Sequence, residues 1–233
     1  MPDERLEQRY TPGAAFPLQV WLLLNGKEWP AKVADISRNG IGLIVDAAAQ
    51  PAERLAVRVK LSVGSHQQVI SAGLRHVRPN SKGVYCGIGM NFDNFIVQKI
   101  YLQLLQPITI GQSLQPVPPD LVIQNEPQLI KQVFRGEDQA VLTVWLGKTP
   151  GTPVHSFEFQ MHDYFCRADD AVGVLEAYTR EATDSFKGKL SNPVFDTSGG
   201  LHAEIRQLFR WILPNLSPSL PDEVRMFLQR FAS

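Results

Sequence analysis

Cysteine is nearly absent from this chain: Cys86 and Cys166 are the only two among 233 residues. One lies in each half, so a disulfide would have to tie the halves together, and free buried thiols are the reading adopted. Long apolar runs are missing too. The longest near the N-terminus, Val20 to Leu24, is far too short to span a bilayer, and no charged-then-apolar signal segment precedes it. This predicts a cytoplasmic chain with no membrane span. Net charge is zero, with 23 basic and 23 acidic residues, which argues against a basic surface built for duplex nucleic acid. The chain also lacks a Gly-x-Ser-x-Gly elbow, a Walker-type glycine-rich lysine loop and a His-Glu-x-x-His helix. His162-Asp163, followed by Cys166 and preceded by His155, has metal-ligand chemistry, yet a strand would spread these side chains too far for one ion. They are read as surface or satisfied core residues. No catalytic residue, metal site or cofactor is expected.

What is present is enough apolar content, 44%, to bury a core, over a length that suits two modest domains. Residues 1–106 hold 12 Lys+Arg and 8 Asp+Glu, +4, whereas 107–233 hold 11 and 15, −4. An anionic ligand is favoured by the first half. Residues 1–15, with Pro2, Pro12 and Gly13, show no period and read as a mobile arm. Strands are predicted at 17–24, 30–36, 40–46, 54–63, 67–78 and 83–92, divided by turn residues such as Asn25-Gly26 and Lys82-Gly83. That spacing predicts a small antiparallel barrel or sandwich. Glycines in the last strand suggest a bulge or a close backbone approach. Asn94 is a suitable N-cap for a helix from Phe95 to Gln106, with Ile96, Ile100 and Leu104 on one face and Pro107 ending it.

Pro107, Pro116, Pro118 and Pro119 then mark residues 107–119 as a proline-rich linker. Beyond it, residues 120–233 read as an α+β domain. A helix is predicted over Glu126–Phe134, strands over Ala140–Leu146 and Val154–Met161, and Tyr164–Arg167 extending or following the second. A helix is expected from Asp169 or Asp170 to Phe186, and two more over Leu201–Leu213 and Pro221–Phe231. Trp145, Phe157, Phe159, Tyr164 and Phe165 are expected core aromatics.

Two short patterns carry chemistry. Arg5 and Arg9 stand in Arg5-Leu6-Glu7-Gln8-Arg9, and Asp35-Ile36-Ser37-Arg38-Asn39-Gly40 occupies a corner between two predicted strands. One carboxylate, one hydroxyl, a bare glycine backbone and two guanidinium groups suit a nucleotide. The carboxylate can accept from a guanine edge, the hydroxyl and glycine can approach a phosphate, and planar arginines can fork onto phosphate or a base. This RxxxR pattern followed by DxSxxG resembles the PilZ family of cyclic di-GMP receptors, in a layout covering residues 4–106.

The resemblance implies a β-barrel closed by a C-terminal helix, with cyclic di-GMP as ligand. Arg5 and Arg9 inherit the clamp on guanine and phosphate. Asp35 falls at a guanine edge, Ser37 at a phosphate or nearby backbone, and Gly40 where a Cβ would obstruct. Arg38 and Asn39 take the variable positions. The expected protein is thus a non-catalytic cyclic di-GMP effector. Residues 1–106 sense, 120–233 are the output or engage a protein partner, and no nucleic acid polymer is expected as partner. Alternatives are an enzyme in 120–233 switched by the sensor, and a PilZ-like scaffold that binds no nucleotide. Residues 120–233 resemble no recognised family.

Overall fold

Alternating apolar residues close the first six strands into a barrel. The structure, a computed structural model, describes residues 7–149, 153–179 and 200–232, and the chain divides into two compact units, Met1–Gln106 and Pro107–Ser233. In the first unit the strands are β1 (Leu18–Leu24), β2 (Lys27–Ser37), β3 (Gly40–Val45), β4 (Ala56–Val63), β5 (His66–Asn80) and β6 (Gly83–Asn91). Their order is β1-β2-β3-β6-β5-β4, and antiparallel pairing of β1 with β4 closes the ring. Leu22, Ile41, Leu43, Val59, Ile70 and Leu74 fill the interior, each with essentially no exposure. Asn25 and Gly26, both at positive φ, make the two-residue turn that joins β1 to β2 with the twist a hairpin needs.

The N-terminal segment departs from the mobile arm expected of it. Tyr10 is buried and pairs with Ile36 through two main-chain hydrogen bonds of 2.9 and 2.8 Å, and Phe16 is also buried. Two aromatic rings in a short polar stretch supplied the anchoring that its lack of period concealed. Residues 1–6, including Arg5, lie outside the described residues.

Asn94 caps the following helix as expected, its Oδ1 accepting from the Val97 N–H at 3.0 Å. That helix, α1, covers Phe95–Ser113 and runs through Pro107. A helix-interior proline costs about 3 kcal/mol, but Ile108, Ile110 and Leu114 are fully buried, and their burial offsets that cost. The buried face also differs from the expected one: Ile96 is 67% exposed, while Tyr101, Leu104 and Leu105 point inward. Residues 107–119, read as a linker, are mostly regular structure. The helix reaches Ser113, a short strand β7 (Gln115–Pro116) follows, and a 3-10 turn begins at Pro119.

In the second unit β7 is joined by β8 (Leu129–Arg135), β9 (Val141–Gly147), β10 (Val154–Met161), β11 (Tyr164–Asp169) and β12 (Glu176–Thr179) in one antiparallel sheet ordered β12-β11-β10-β9-β8-β7. Helices α2 (Leu201–Ile212) and α3 (Asp222–Gln229) complete an α+β unit. Two predicted helices are corrected. The Glu126–Phe134 stretch yields β8, because Ile130 and Val133 favour extended backbone and β9 pairs with it along its whole length. The acidic start at Asp169 makes a turn. Its Oδ1 accepts from the Ala171 N–H at 2.7 Å, Gly173 takes φ +68°, and the chain returns as β12; residues 180–186 of that predicted helix are outside the described residues.

The core of this unit centres on Phe157, stacked on Phe209 at 5.6 Å and met edge-on by Phe227 at 6.1 Å. Phe159 and Phe165 are buried as expected, while Trp145 and Tyr164 are half-buried. Both cysteines are free and buried, and burial pushes Cys86 up to about 11 and Cys166 up to about 12. No helix among the described residues is long and apolar enough to cross a membrane.

Truncating Phe157 to Ala should cost about 3–5 kcal/mol in the second unit. Urea unfolding followed through Trp145 and Trp211 measures it, and Trp21 and Trp29 report the barrel in the same experiment.

Candidate ligand groove on the barrel

The pairing of Tyr10 with Ile36 sets Arg9 beside the end of β2, where its Nη1 donates to Asp35 Oδ1. Both partners are partly exposed, 29% and 22%. Burial alone pulls the Arg9 guanidinium down, but the hydrogen bond to Asp35 and the charges of that carboxylate and its neighbours outweigh it, leaving the group above its usual range. The other carboxylate oxygen, Oδ2, accepts from the Tyr85 hydroxyl at 3.2 Å. Burial, then Asp35, holds that phenol protonated as a donor. Arg78 lies over the Tyr85 ring at 4.4 Å, within the range of a cation–π contact.

Two β-bulges aim these side chains. In β2, Val33 faces Leu43 and Asp35 faces Gly42, so Ala34 is the extra residue. In a strand of regular alternation Ala34 would take the outward place opposite Gly42 and Asp35 would fall on the interior side, since a one-residue slip exchanges faces. In β5, Leu74 faces Ile88 and His76 faces Gly87, leaving Arg75 as the extra residue. Arg75 and His76 are consequently both exposed on the outer face.

Glycines floor the space between the bulges. A Cβ at Gly42 would sit 2.7 Å from both Asp35 Oδ2 and the Tyr85 hydroxyl, and one at Gly89 would meet Arg75 Nε at 2.9 Å. At Gly40 the obstruction is main chain, Ile88 O at 2.8 Å, so the motif glycine is required by strand packing. The resulting groove has a volume of about 520 Å³, with Arg9, Arg75, His76, Arg78 and Glu53 along its walls.

The Ser37–Gly40 turn closes one end. Tyr101 of α1 donates its hydroxyl to Ser37 O at 2.7 Å, with Gly40 O 3.2 Å from the same oxygen, and burial holds this phenol far above its usual range. Ser37 itself is fully buried. Its Oγ donates to Glu7 Oε2 at 3.0 Å and lies 3.3 Å from Gly40 O, and Asn39 Nδ2 donates to Glu7 Oε1 at 3.1 Å. Arg9, Asp35, Ser37 and Gly40 are therefore gathered at one place, with Arg5 outside the described residues.

Residues 3–106 match the family model described as PilZ domain. The N-terminal unit is a PilZ domain. Among solved structures, similarity is found to the PilZ domain with c-di-GMP of YcgR from Escherichia coli, at 13% identity and a TM-score of 0.36, covering 44% of this chain and 88% of that one. No curated protein matches the chain.

Within the PilZ domain, Glu7, Arg75, Arg78, Tyr85 and Tyr101 join the site without having been singled out in the sequence. Arg75 and Arg78 were legible as basic residues in a strand, but placing them needs the β5 bulge and the β5–β6 register. Elsewhere, His155 Nδ1 lies 3.2 Å from Asp169 and His162 Nε2 lies 3.6 Å from Asp163, while Cys166 is buried. Among the described residues no group of three or more His, Cys, Asp or Glu is placed to hold a metal.

Replacing Tyr101 by Phe should cost about 1–3 kcal/mol, because the Ser37 carbonyl is left buried without that donor. Gly40→Ala should cost about as much by overpacking against Ile88 O. Thermal unfolding of the two variants checks both.

Proposed function

We propose that residues 1–106 bind cyclic di-GMP in this groove and transmit the level of that second messenger to an output in residues 120–233 or to a protein partner, with 107–119 between them. The protein acts in the cytoplasm by binding rather than by catalysis. The observation that carries the reading is convergence: Arg9 and Gly40 line one groove, Asp35, 26 positions from Arg9, and Ser37 stand beside it in contact with its lining residues Arg9 and Glu7, and the match to the PilZ family covers both motifs.

The chemistry assigns each group a part. Arg9, with Arg5, forks onto phosphate or a guanine face. Asp35 accepts from the guanine edge; a carboxylate has lone pairs beyond the two that Arg9 and Tyr85 use. Ser37 donates to a phosphate oxygen. Gly89 lets Arg75 lie close against the barrel wall, and the exposed Arg75 guanidinium is suited to stack on a planar base. One observation favours the scaffold reading that binds no nucleotide: Asp35 and Ser37 already have partners within the protein.

Titration calorimetry decides between them. A charge-assisted hydrogen bond contributes about 1.5–3 kcal/mol, so Arg5→Ala and Arg9→Ala should each weaken cyclic di-GMP binding roughly ten- to a hundredfold or more. Unchanged affinity in both would remove the clamp, and no binding by the wild type would favour the scaffold. Asp35→Ala should lose the preference for cyclic di-GMP over cyclic di-AMP, and Ser37→Ala should lose less affinity, since water can replace a hydroxyl. An equal loss for both nucleotides in Asp35→Ala would remove the guanine assignment.

A further inference from the structure

We infer that Glu7 is a tethered competitor for the ligand's phosphate: in the free protein its carboxylate holds the Ser37 hydroxyl and the Asn39 amide, and the nucleotide gains Ser37 only when Glu7 leaves. This rests on the nucleotide reading above and sets its affinity.

The geometry is that of an anion seat. Each Glu7 oxygen takes one neutral donor, Oε2 from Ser37 Oγ at 3.0 Å and Oε1 from Asn39 Nδ2 at 3.1 Å, as two oxygens of a phosphate would. Ser37 is fully buried and has a single hydroxyl proton, so it cannot donate to Glu7 and to a phosphate together. Two anions on one pair of donors would also repel each other. The occupant is held in place by the chain itself. Glu7 stands three residues before Tyr10, whose main-chain pairing with Ile36 fixes the segment, so its effective concentration at the turn is of millimolar order. Arg9, between the two, already feels the charge of Glu7.

The sign of the effect separates Glu7 from the residues around it. Removing a clamp residue weakens binding, whereas removing a competitor strengthens it, because apparent affinity is reduced by the fraction of molecules in which the seat is taken. A seat occupied in roughly nine molecules of ten raises the apparent Kd about tenfold. Tyr10 and the Arg9–Asp35 pair need not move when Glu7 swings out, so the clamp remains assembled.

The test is calorimetry of the full chain with cyclic di-GMP at one fixed salt concentration, comparing wild type with Glu7→Ala, Glu7→Gln and Glu53→Gln. Glu53 lines the same groove, and its carboxylate accepts from the Val77 N–H rather than from the turn, so Glu53→Gln removes equal charge without freeing Ser37. Binding about tenfold tighter in Glu7→Ala, with a smaller gain in Glu7→Gln and at most about twofold in Glu53→Gln, is the expected result. In the free protein the Asn39 side-chain amide resonances should shift in Glu7→Ala. Wild type binding as tightly as Glu7→Ala, or more tightly, overturns the competitor and leaves the nucleotide reading intact. An equal gain in Glu53→Gln overturns it as a general charge effect, and an unmoved Asn39 amide overturns the seat. Failure of both wild type and Glu7→Ala to bind overturns the nucleotide reading and the competition with it. Binding by Glu7→Ala alone supports both.

Discussion

Two main-chain hydrogen bonds between Tyr10 and Ile36 tie the N-terminal segment to the end of β2, and the positions of Glu7 and Arg9 depend on that tie. Its energetics are finely balanced. Ordering three or four residues costs about 3–8 kcal/mol of backbone entropy. Against this, two hydrogen bonds contribute about 1–3 kcal/mol and the Arg9–Asp35 pair adds about 1 kcal/mol. Burial of the Tyr10 ring supplies about 2–3 kcal/mol more. A segment held by so narrow a margin is suited to exchanging its contacts for better ones.

The rest of the site follows from broken alternation. A regular strand would present Ala34 where Asp35 now stands and would turn His76 inward; the bulges at Ala34 and Arg75 reverse this. The six strands were legible in the sequence because Leu22, Leu43, Ile70 and Ile88 keep their period and the turns carry glycine or asparagine. The motifs were legible as residue types at fixed spacing. The bulges were not, since a single inserted residue leaves apolar content unchanged and becomes visible only through pairing with β3 and β6. Tyr101 was hidden for a similar reason: its ring lies on the buried face of α1, and only the tertiary position of the turn shows its hydroxyl donating to the Ser37 carbonyl.

In the second unit the same limits act in the other direction. Val154–Met161 was legible to the residue because Val154, Phe157 and Phe159 combine β-propensity with burial. The segment before Phe134 was misread because Leu129, Ile130, Val133 and Phe134 fit a helical face as well as a strand; pairing with β9 decides for the strand. At Asp169 a side chain that suits a helix N-terminus suits an Asx turn equally well. Pro107 misled in the opposite sense. Its local cost is real, but it stands within a run whose later members, Ile108 and Ile110, are fully buried, and burial wins when several side chains share the cost of one missing hydrogen bond.

Charge in the groove favours exchange, rather than simple attraction, for the ligand proposed above. Arg9, Arg75 and Arg78 bring three positive charges, while Glu7, Glu53 and the neighbouring Asp35 bring three negative ones, so the formal charges of these six groups sum to zero. A dianionic nucleotide entering such a site finds no surplus of positive charge to drive it in. It gains to the extent that Ser37 prefers its phosphate to Glu7, and that Arg9 and Asp35 add its phosphate and guanine edge to the contacts they already make. The exchange at Ser37 replaces one hydrogen bond by another, and its net free energy is a small difference between large terms. In the proposed mode of binding, affinity is therefore set as much by the internal carboxylates as by the arginines.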